Sequence, residues 1–485
     1  MAYRVTVLPQ QVHILAEQGE TLLSCLRRAA LAPDAPCGGD GRCGKCRVNV
    51  DGKEVLSCRT VVDRDMTVTL PSSAPQQILT ADGLNILHGS VRKGWQLSVD
   101  IGTTTVVGYL TKEGLQYACE SRSNPQAAFG ADVISRISHA RNGQMEALTA
   151  GIRHCVEDIA LSLCREANIT PAEISIVSFV GNPAMQQLFL GIRPDNLAAV
   201  PFAPVLTQGK IVSAKQFLPC CEKADMLVVP DISGFVGADT LACILATGMA
   251  QQEEISLLVD IGTNGEMVLG NRKGLLACST AAGPALEGAN IQFGMRGQRG
   301  AIDHVWLDGN ALCCSVIGDD EAQGICGSGL IDAAAAALDA GLLNSRGKIL
   351  SPDGCIHLTD NIFLTQDDIR QLQLAKGAIR AGIELLAQQV GITTAQIDRV
   401  YLAGAFGSFM NHASACRIGL LPPQLADRII AVGNAAGSGA KLLALEKNAL
   451  ADTQQLLSLV QFVELAQLPQ FPKTFAKHMR FDASR

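Results

Sequence analysis

Charge is scarce in this 485-residue chain: Asp, Glu, Lys and Arg together make up 18%, against 48% hydrophobic residues, and the formal net charge is −7. With a pI near 5.7 and no clustered Lys and Arg, it lacks the concentrated basic footprint that phosphate-backbone binding requires. Nucleic acid is therefore excluded as a partner. No apolar run reaches the roughly 20 residues of a membrane helix, and the most hydrophobic stretch, 226–247, is broken by Asp231 and Asp239. The start, MAYRVTVLPQQVH, has no apolar signal-peptide core, so the expectation is a cytoplasmic protein with no membrane partner. The length exceeds what one core usually holds, and a mean hydropathy of +0.21 points to large buried sheets in two or three domains.

Cysteine is plentiful, with 17 residues. In an unexported chain these are not a disulfide framework, because cytosolic reductants keep thiols reduced. Cys155, Cys164 and Cys243 stand singly in apolar, helix-like runs and read as small core residues. The cysteines near the start read differently. APCGGDGRCGKC, followed by LSCR, sets Cys37, Cys43, Cys46 and Cys58 in a C-x5-C-x2-C-x11-C pattern. Plant-type [2Fe-2S] proteins have C-x4-C-x2-C and a more distant fourth cysteine, one residue shorter in the first gap. Gly38, Gly39, Gly41 and Gly44 let the backbone wrap closely and aim N–H groups at sulfide. A structural zinc site is the alternative, but it usually shows two short pairs or histidines. Cys25, on the helix before the loop, reads as core.

Around this loop the pattern is strand (3–8), strand (11–16), helix (GETLLSCLRRAAL), loop, two short strands about Asp51-Gly52, and a last strand, MTVTL. That is a β-grasp-like order over residues 1–72. Residues 73–94 read as a linker. From Trp95 strands alternate with helices, which predicts α/β lobes at 95–250 and 251–485, the second with a C-terminal helical segment.

A short internal repeat links the two lobes. LSVDIGTTTVVGYL (97–110) and LLVDIGTNGEMVLG (257–270) each run strand, Asp-Ile-Gly-Thr turn, strand. Gly102, Thr103 and Thr104 in one copy, and Gly262, Thr263 and Asn264 in the other, can cradle phosphate through backbone N–H groups and polar side chains. Asp100 and Asp260 can reach Mg²⁺ directly or through water. VYLAGAFGSFM places Gly404, Ala405, Phe406 and Gly407 after an apolar strand, a turn suited to the flat face of an adenosine. VGNAAGSGAKLLAL repeats the design with Gly437. The order of these motifs resembles the acetate and sugar kinase, Hsp70 and actin superfamily. A helix is predicted from a Thr365 cap to Gly391. On it, Lys376 and Arg380 either face the nucleotide or lie on a solvated face. GNPAM (181), DISGFVGADT (231), AAGPALEGANI (281) and GICGSGL (324) read equally as tight turns or as cleft contacts. Asp231 and Glu287 are candidate water-orienting or supporting carboxylates, and Cys326 reads as a buried thiol at a helix start.

The glycine-rich cysteine loop ahead of DIGTTT, SNPQAAFGADVISRI, CSTAAGPALEGANIQFGM, GICGSGLIDA and LAGAFGS resembles the reductive activators of corrinoid proteins over nearly the whole chain. The resemblance implies a multidomain α/β and α+β chain: a β-grasp [2Fe-2S] ferredoxin followed by a bilobal actin/Hsp70-like (ribonuclease H-like) ATPase fold. It implies an ATP-hydrolysing electron-transfer activase that passes one electron from the cluster to Co(II) and restores Co(I) for methyl transfer. Cys37, Cys43, Cys46 and Cys58 would be the cluster ligands, with Asp100, Asp260 and Glu287 in catalytic roles. ATP, Mg²⁺, a corrinoid protein as acceptor and an upstream cellular reductant would complete the system, and a homodimer is compatible with it. Other readings are an ATP-driven activator of a different metalloenzyme, which in the dehydratase activators carries a [4Fe-4S] cluster, and a non-enzymatic redox-sensing scaffold. Longer family members carry a middle domain, whereas here about twenty residues separate Leu70 from Trp95, so that domain is expected to be missing.

Overall fold

A computed structural model of the chain describes residues 2–8, 12–28, 46–70, 90–130, 132–262, 264–288, 290–309, 311–318 and 321–481. The first sheet is built from β1 (Ala2–Leu8), β2 (Val12–Glu17), β3 (Arg47–Val50), β4 (Lys53–Leu56) and β5 (Met66–Thr69), in the order β2-β1-β5-β3-β4. Only β1 and β5 pair in parallel. Alternate residues Val5, Val7, Val48, Val50, Met66 and Val68 point inward against Leu22, Cys25 and Leu26 of α1 (Leu22–Arg28). Cys25 is core, as its apolar neighbours predicted. Asp51 and Gly52 both take positive φ, 49° and 91°, which the tight turn between β3 and β4 demands.

The next two sheets share one topology, which is what the repeat predicted. In the first, β6 (Trp95–Ile101), β7 (Thr105–Lys112) and β8 (Leu115–Ser123) form an antiparallel meander. β9 (Ile174–Gly181) and β11 (Asp225–Val228) add in parallel beside β6, and β10 (Lys210–Ser213) closes the edge. In the second, β12 (Ser256–Ile261), β13 (Gly265–Asn271) and β14 (Gly274–Thr280) repeat the meander. A three-stranded sheet follows, from β15 (Ala301–Asp308), β16 (Ala311–Val316) and β17 (Gly324–Ile325), then a two-strand pair, β18 (Ile356–His357) and β19 (Phe363–Leu364). The second large sheet is completed by β20 (Arg399–Ala403) and β21 (Ile429–Gly433), parallel beside β12, and by β22 (Val460–Phe462) beside β14. Asp100 and Asp260 thus occupy the same place in two equivalent sheets, one residue before the end of the central strand.

The parallel strands are nearly continuous in apolar residues because helices cover both faces. On the first sheet lie α2 (Val133–His139), α3 (Met145–Glu166) and α4 (Pro183–Leu190). Between the two large sheets lies α5 (Ala238–Thr247), and the second body carries α6 (Gly327–Asp339) and α7 (Gln366–Val390). α7 matches the predicted helix: Asp368 N–H donates to Thr365 Oγ1 at 3.3 Å, Thr365 N–H donates back to Asp368 at 2.8 Å, and Gly391 ends it at φ 80°. α8 (Gly404–Phe409) and α9 (His412–Arg417) precede α10 (Ala435–Leu445), and α11 (Ala449–Leu459) and α12 (Phe471–His478) finish the chain. α10 leaves the second sheet and packs on α5 and on β6 and β9 of the first. No described helix is long and apolar enough to cross a membrane.

Candidate functional site

Each hairpin turn is shaped by its glycine. Gly102 N–H donates to Thr105 O at 3.0 Å, and a Cβ on Gly102 would lie 2.8 Å from that oxygen, so no larger residue fits the turn. In the second hairpin Gly262 N–H donates to Asn264 O at 2.9 Å; Thr263 lies outside the described residues. The first turn is held from behind. Arg136 of α2, fully buried, donates to Thr103 O at 2.6 Å and to Gly130 O at 3.0 Å. Asn124 Nδ2 donates to Gly102 O at 2.8 Å, and Asn182, which caps α4, donates to Thr103 Oγ1 at 3.1 Å. Burial lowers the Arg136 guanidinium to about 10, so it stays charged behind the Gly-Thr-Thr turn.

Glu287 joins the two turns. Thr104 Oγ1 donates to Glu287 Oε2 at 3.0 Å, and Glu287 Oε1 lies 3.8 Å from where a Cβ of Gly262 would stand. Sequence reasoning named Glu287, and the structure brings it to the meeting point of both hairpins. Asp100 accepts from Asn434 Nδ2 at 2.8 Å, a bond that crosses from the second sheet's β21–α10 connection to the first sheet. Gly404, at φ 83°, stands against Asp260: a Cβ there would be 2.7 Å from Asp260 Oδ1. The small-residue turn is therefore in place beside the second hairpin.

Electrostatics shows what sequence reasoning missed. Burial pushes Asp100 up to about 7, with Asp239 and Asp260 adding to it and the Asn434 hydrogen bond opposing. Burial and Asp239 push Asp260 up to about 7 as well. Burial raises Asp239 to about 6 against the hydrogen bonds it accepts at the start of α5, and holds Glu266 of β13 well above the carboxylate range, with Asp239 and Asp260 contributing. Four carboxylates thus repel one another across the interface of the two sheets, and beneath them the Cys243 thiol is raised by burial and by all four. Among the described residues no three acidic, histidine or cysteine side chains converge into a preformed metal cage. Glu266 follows the quoted Gly-Thr-Asn turn and Asp239 lies in the DISGFVGADT cluster, so both were present in motifs read for their glycines.

Other expected residues are placed elsewhere. Lys376 is a correction: its ammonium is fully buried and donates to His478 O at 2.8 Å and Arg480 O at 2.6 Å, 5.3 Å from the Phe481 ring centroid, and so pins the C-terminal segment. Arg380 pairs with Glu384 at 3.0 Å. Gly437 stands in the first turn of α10: its N–H donates to Asn434 Oδ1 at 2.7 Å, and a Cβ would meet the Tyr109 ring at 2.6 Å. Phe406 packs on Gly327 at the start of α6, and Gly407 on Leu402. Nothing is described of the Ala405 side chain. Asp231 is 3% exposed and accepts from Gln186 at 2.7 Å, behind Asp239 and not at the turns. Cys326 is buried at the α6 N-terminus beside Ser328, as read from sequence.

Of the four front cysteines, Cys37 and Cys43 lie outside the described residues. Cys46 and Cys58 are buried with Sγ atoms 3.2 Å apart, and Ser57 N–H donates to Cys46 O at 2.8 Å. Two thiols this close can bind one metal ion, so the described part of the loop fits its share of a cluster.

Residues 5–70 match the 2Fe-2S iron-sulfur cluster binding domain, 95–252 the RACo middle region, and 254–485 the C-terminal, ASKHA domain of RACo. The chain is 31% identical to the corrinoid activation enzyme RamQ of Eubacterium limosum, over 92% of this chain and 93% of that protein. It is 32% identical to the [Co(II) methylated amine-specific corrinoid protein] reductase of Methanosarcina barkeri, over 62% of this chain and 57% of the other. The solved structure of a reductive activator for corrinoid, iron-sulfur protein superposes with a TM-score of 0.74 at 27% identity, covering 99% of this chain and 98% of that one. The matched middle region, 95–252, contains the first hairpin.

Proposed function

That the chain belongs to the family of reductive activators of corrinoid proteins is the premise from which we propose its function: ATP-dependent return of a Co(II) corrinoid protein to Co(I), one electron at a time. The observation that supports it most is the joining, on one chain, of a 2Fe-2S domain to two equivalent sheets whose glycine turns meet at Glu287, with Asp100 and Asp260 at the ends of their central strands.

When bound, the cluster supplies a single low-potential electron and Mg-ATP supplies the free energy to direct it. The residues of the chain hold and orient. Cys37, Cys43, Cys46 and Cys58 would be the cluster ligands. The turns Gly102–Thr104 and Gly262–Asn264 would present N–H groups to the phosphates, with the N-termini of α5 and α10 adding positive potential. Asp100 and Asp260 would hold Mg²⁺ through water, and in doing so lose the protons they keep near neutral pH. Glu287, already bonded to the Thr104 hydroxyl, would orient the attacking water and accept its proton. Gly404 would leave room for the adenosine beside Asp260.

Each 100 mV of uphill electron transfer costs about 2.3 kcal/mol. Nucleotide-driven movement of one half against the other can offset a few such steps if it favours the reducible form of the acceptor. The setting we propose is the cytoplasm, with a cellular reductant upstream to reload the cluster. The test is anaerobic. Cluster-loaded, reduced protein is mixed with a Co(II) corrinoid protein, with and without Mg-ATP, and the Co(I) absorption band is followed alongside phosphate release. Appearance of Co(I) only with Mg-ATP is the expected result; Co(I) formation at the same rate without nucleotide overturns the proposal.

A further inference from the structure

SNPQAAFGADVISRI, residues 123–137, lies behind the first hairpin turn and brings a buried charge with it. Arg136 of α2 is 0% exposed, yet every group it binds is neutral: Thr103 O at 2.6 Å, Gly130 O at 3.0 Å, Gln126 Oε1 at 3.4 Å and Met185 Sδ at 3.3 Å. The carboxylate that acts on it from a distance, Asp132, is engaged elsewhere. Asp132 Oδ1 accepts from Ser135 N–H and Oδ2 from Ser135 Oγ, both at 2.8 Å, and among the described residues no ion pair joins Asp132 to Arg136. Burial alone disfavours the cation, but with a value near 10 it keeps its proton at neutral pH. A buried ion without a counter-ion is unfavourable, and proteins ordinarily pair it or neutralise it.

Both carbonyls of the turn face this charge. Gly102 O accepts from Asn124 Nδ2 at 2.8 Å, and Thr103 O accepts from Arg136. In a planar trans peptide the N–H lies opposite the carbonyl. The N–H groups of Thr103 and Thr104 therefore point away from α2, toward the side on which Thr104 Oγ1 meets Glu287. Among the described residues neither N–H has an acceptor. A donor on a carbonyl polarises its peptide and strengthens the N–H of the same unit, and a charged donor does so more than a neutral one.

We propose that Arg136 is a positioning residue for the phosphates of the nucleotide: acting through the Thr103–Thr104 peptide, and without touching the ligand, it makes the polyphosphate the counter-ion that its own charge lacks. The inference rests on the cleft binding nucleotide and goes beyond it, because it assigns the preference for a polyphosphate over bare adenosine to one buried side chain. Donor, peptide and phosphate oxygen in line span about 7 Å, and at an effective dielectric of about 20 a unit charge at that distance changes affinity roughly fiftyfold.

The test uses the full, cluster-loaded chain, titrated calorimetrically with adenosine and with the magnesium salt of adenylyl imidodiphosphate. Gln126→Glu is nearly isosteric and puts a carboxylate where Arg136 Nη1 now meets a neutral amide oxygen, at the loss of one bond to Leu148 O. It supplies a counter-ion from within and leaves the bonds from Arg136 in place. It should weaken binding of the triphosphate analogue about tenfold or more, and binding of adenosine less than about threefold. Arg136→Gln should weaken the analogue roughly fiftyfold, and Arg136→Lys, which keeps the charge but not the fork, should recover most of that loss. Unchanged affinity for the analogue in Gln126→Glu overturns the proposal. Equal losses in Arg136→Gln and Arg136→Lys overturn it as well, since hydrogen-bond geometry and not charge would then decide. Each comparison stands if the variants of the other fail to fold. A wild type that binds neither ligand overturns the reading of the cleft itself, whereas a wild type that binds the analogue no better than Gln126→Glu does strikes only the role of Arg136.

Discussion

Replacing Asp100 by Asn should stabilise the nucleotide-free protein, and by more at pH 8 than at pH 5.5. A carboxyl whose folded value, about 7, lies above its ordinary value of 3.8 favours folding while protonated. Its contribution is full at low pH, declines as pH rises past the unfolded value, and is gone above the folded one. Between pH 5.5 and 8 that loss is about 2 kcal/mol for Asp100, from the pKa difference and the proton linkage relation. Asn keeps the acceptor for Asn434 and carries no charge, so Asp100→Asn avoids the loss. At about 1–2 °C per kcal/mol for a body of this size, extrapolated from the trend for smaller domains, the variant's melting temperature should gain roughly 2–4 °C on the wild type over this range. His478, held down to about 4 by burial, acts with the opposite sign below its ordinary 6.5, and the comparison of the two proteins cancels it. Scanning calorimetry at the two pH values, with and without Mg-ADP, measures all of this. Mg-ADP should stabilise the wild type at pH 8 and the variant much less. Equal pH slopes for the two proteins, or a variant less stable at pH 8, would refute the claim that the carboxylate is held charged at a cost until a cation arrives.

Glu287→Gln should lower ATP turnover about a hundredfold with nucleotide affinity within threefold, as expected for loss of a proton acceptor; unchanged steady-state phosphate release would remove Glu287 from the chemistry. Gly439→Ala forces a Cβ to within 2.1 Å of Ala242 O and should destabilise the protein by about 3 kcal/mol in urea unfolding, a backbone clash being hard to relieve; a neutral result would show that α5 and α10 can separate. Lys376→Met should leave nucleotide affinity intact but lower the melting temperature, since two buried carbonyls lose their donor at about 1–3 kcal/mol each; a tenfold loss of affinity in a fully folded variant would return Lys376 to the cleft. Cys46→Ser should abolish the visible absorption of the [2Fe-2S] cluster and Cys326→Ser should not, and the reverse pattern would reassign the ligands.

How much of this was legible in the sequence depended on whether a residue's role was local. The two Asp-Ile-Gly-Thr hairpins, the Asp51-Gly52 turn and the Thr365 cap are each settled within a few residues of chain, and the structure contains all of them. The Glu287 site was reached through its glycine-rich neighbourhood. Asp239 and Glu266 were missed because what distinguishes them is mutual repulsion across two sheets, which no window of sequence contains. Lys376 was misplaced for the converse reason. One helical turn from Arg380 on an amphipathic helix, it looked free to face a ligand, whereas Met479, Arg480 and Phe481 return from a hundred residues away to cover it. Asn434 carried no local signal at all, since it acts on a segment more than 300 residues distant.

Because α10 rises from the second sheet yet lies over β6 and β9 of the first, the break between the matched regions at 252 and 254 is a boundary of ancestry and not of folding. A fragment ending at 252 would leave the Ser98 and Ser178 hydroxyls and an apolar strip of two central strands bare, and a fragment starting at 254 would have a helix with no floor. The two halves are completed only by each other, so a protein cut there should be recovered by co-expressing the pieces and not by refining either one alone.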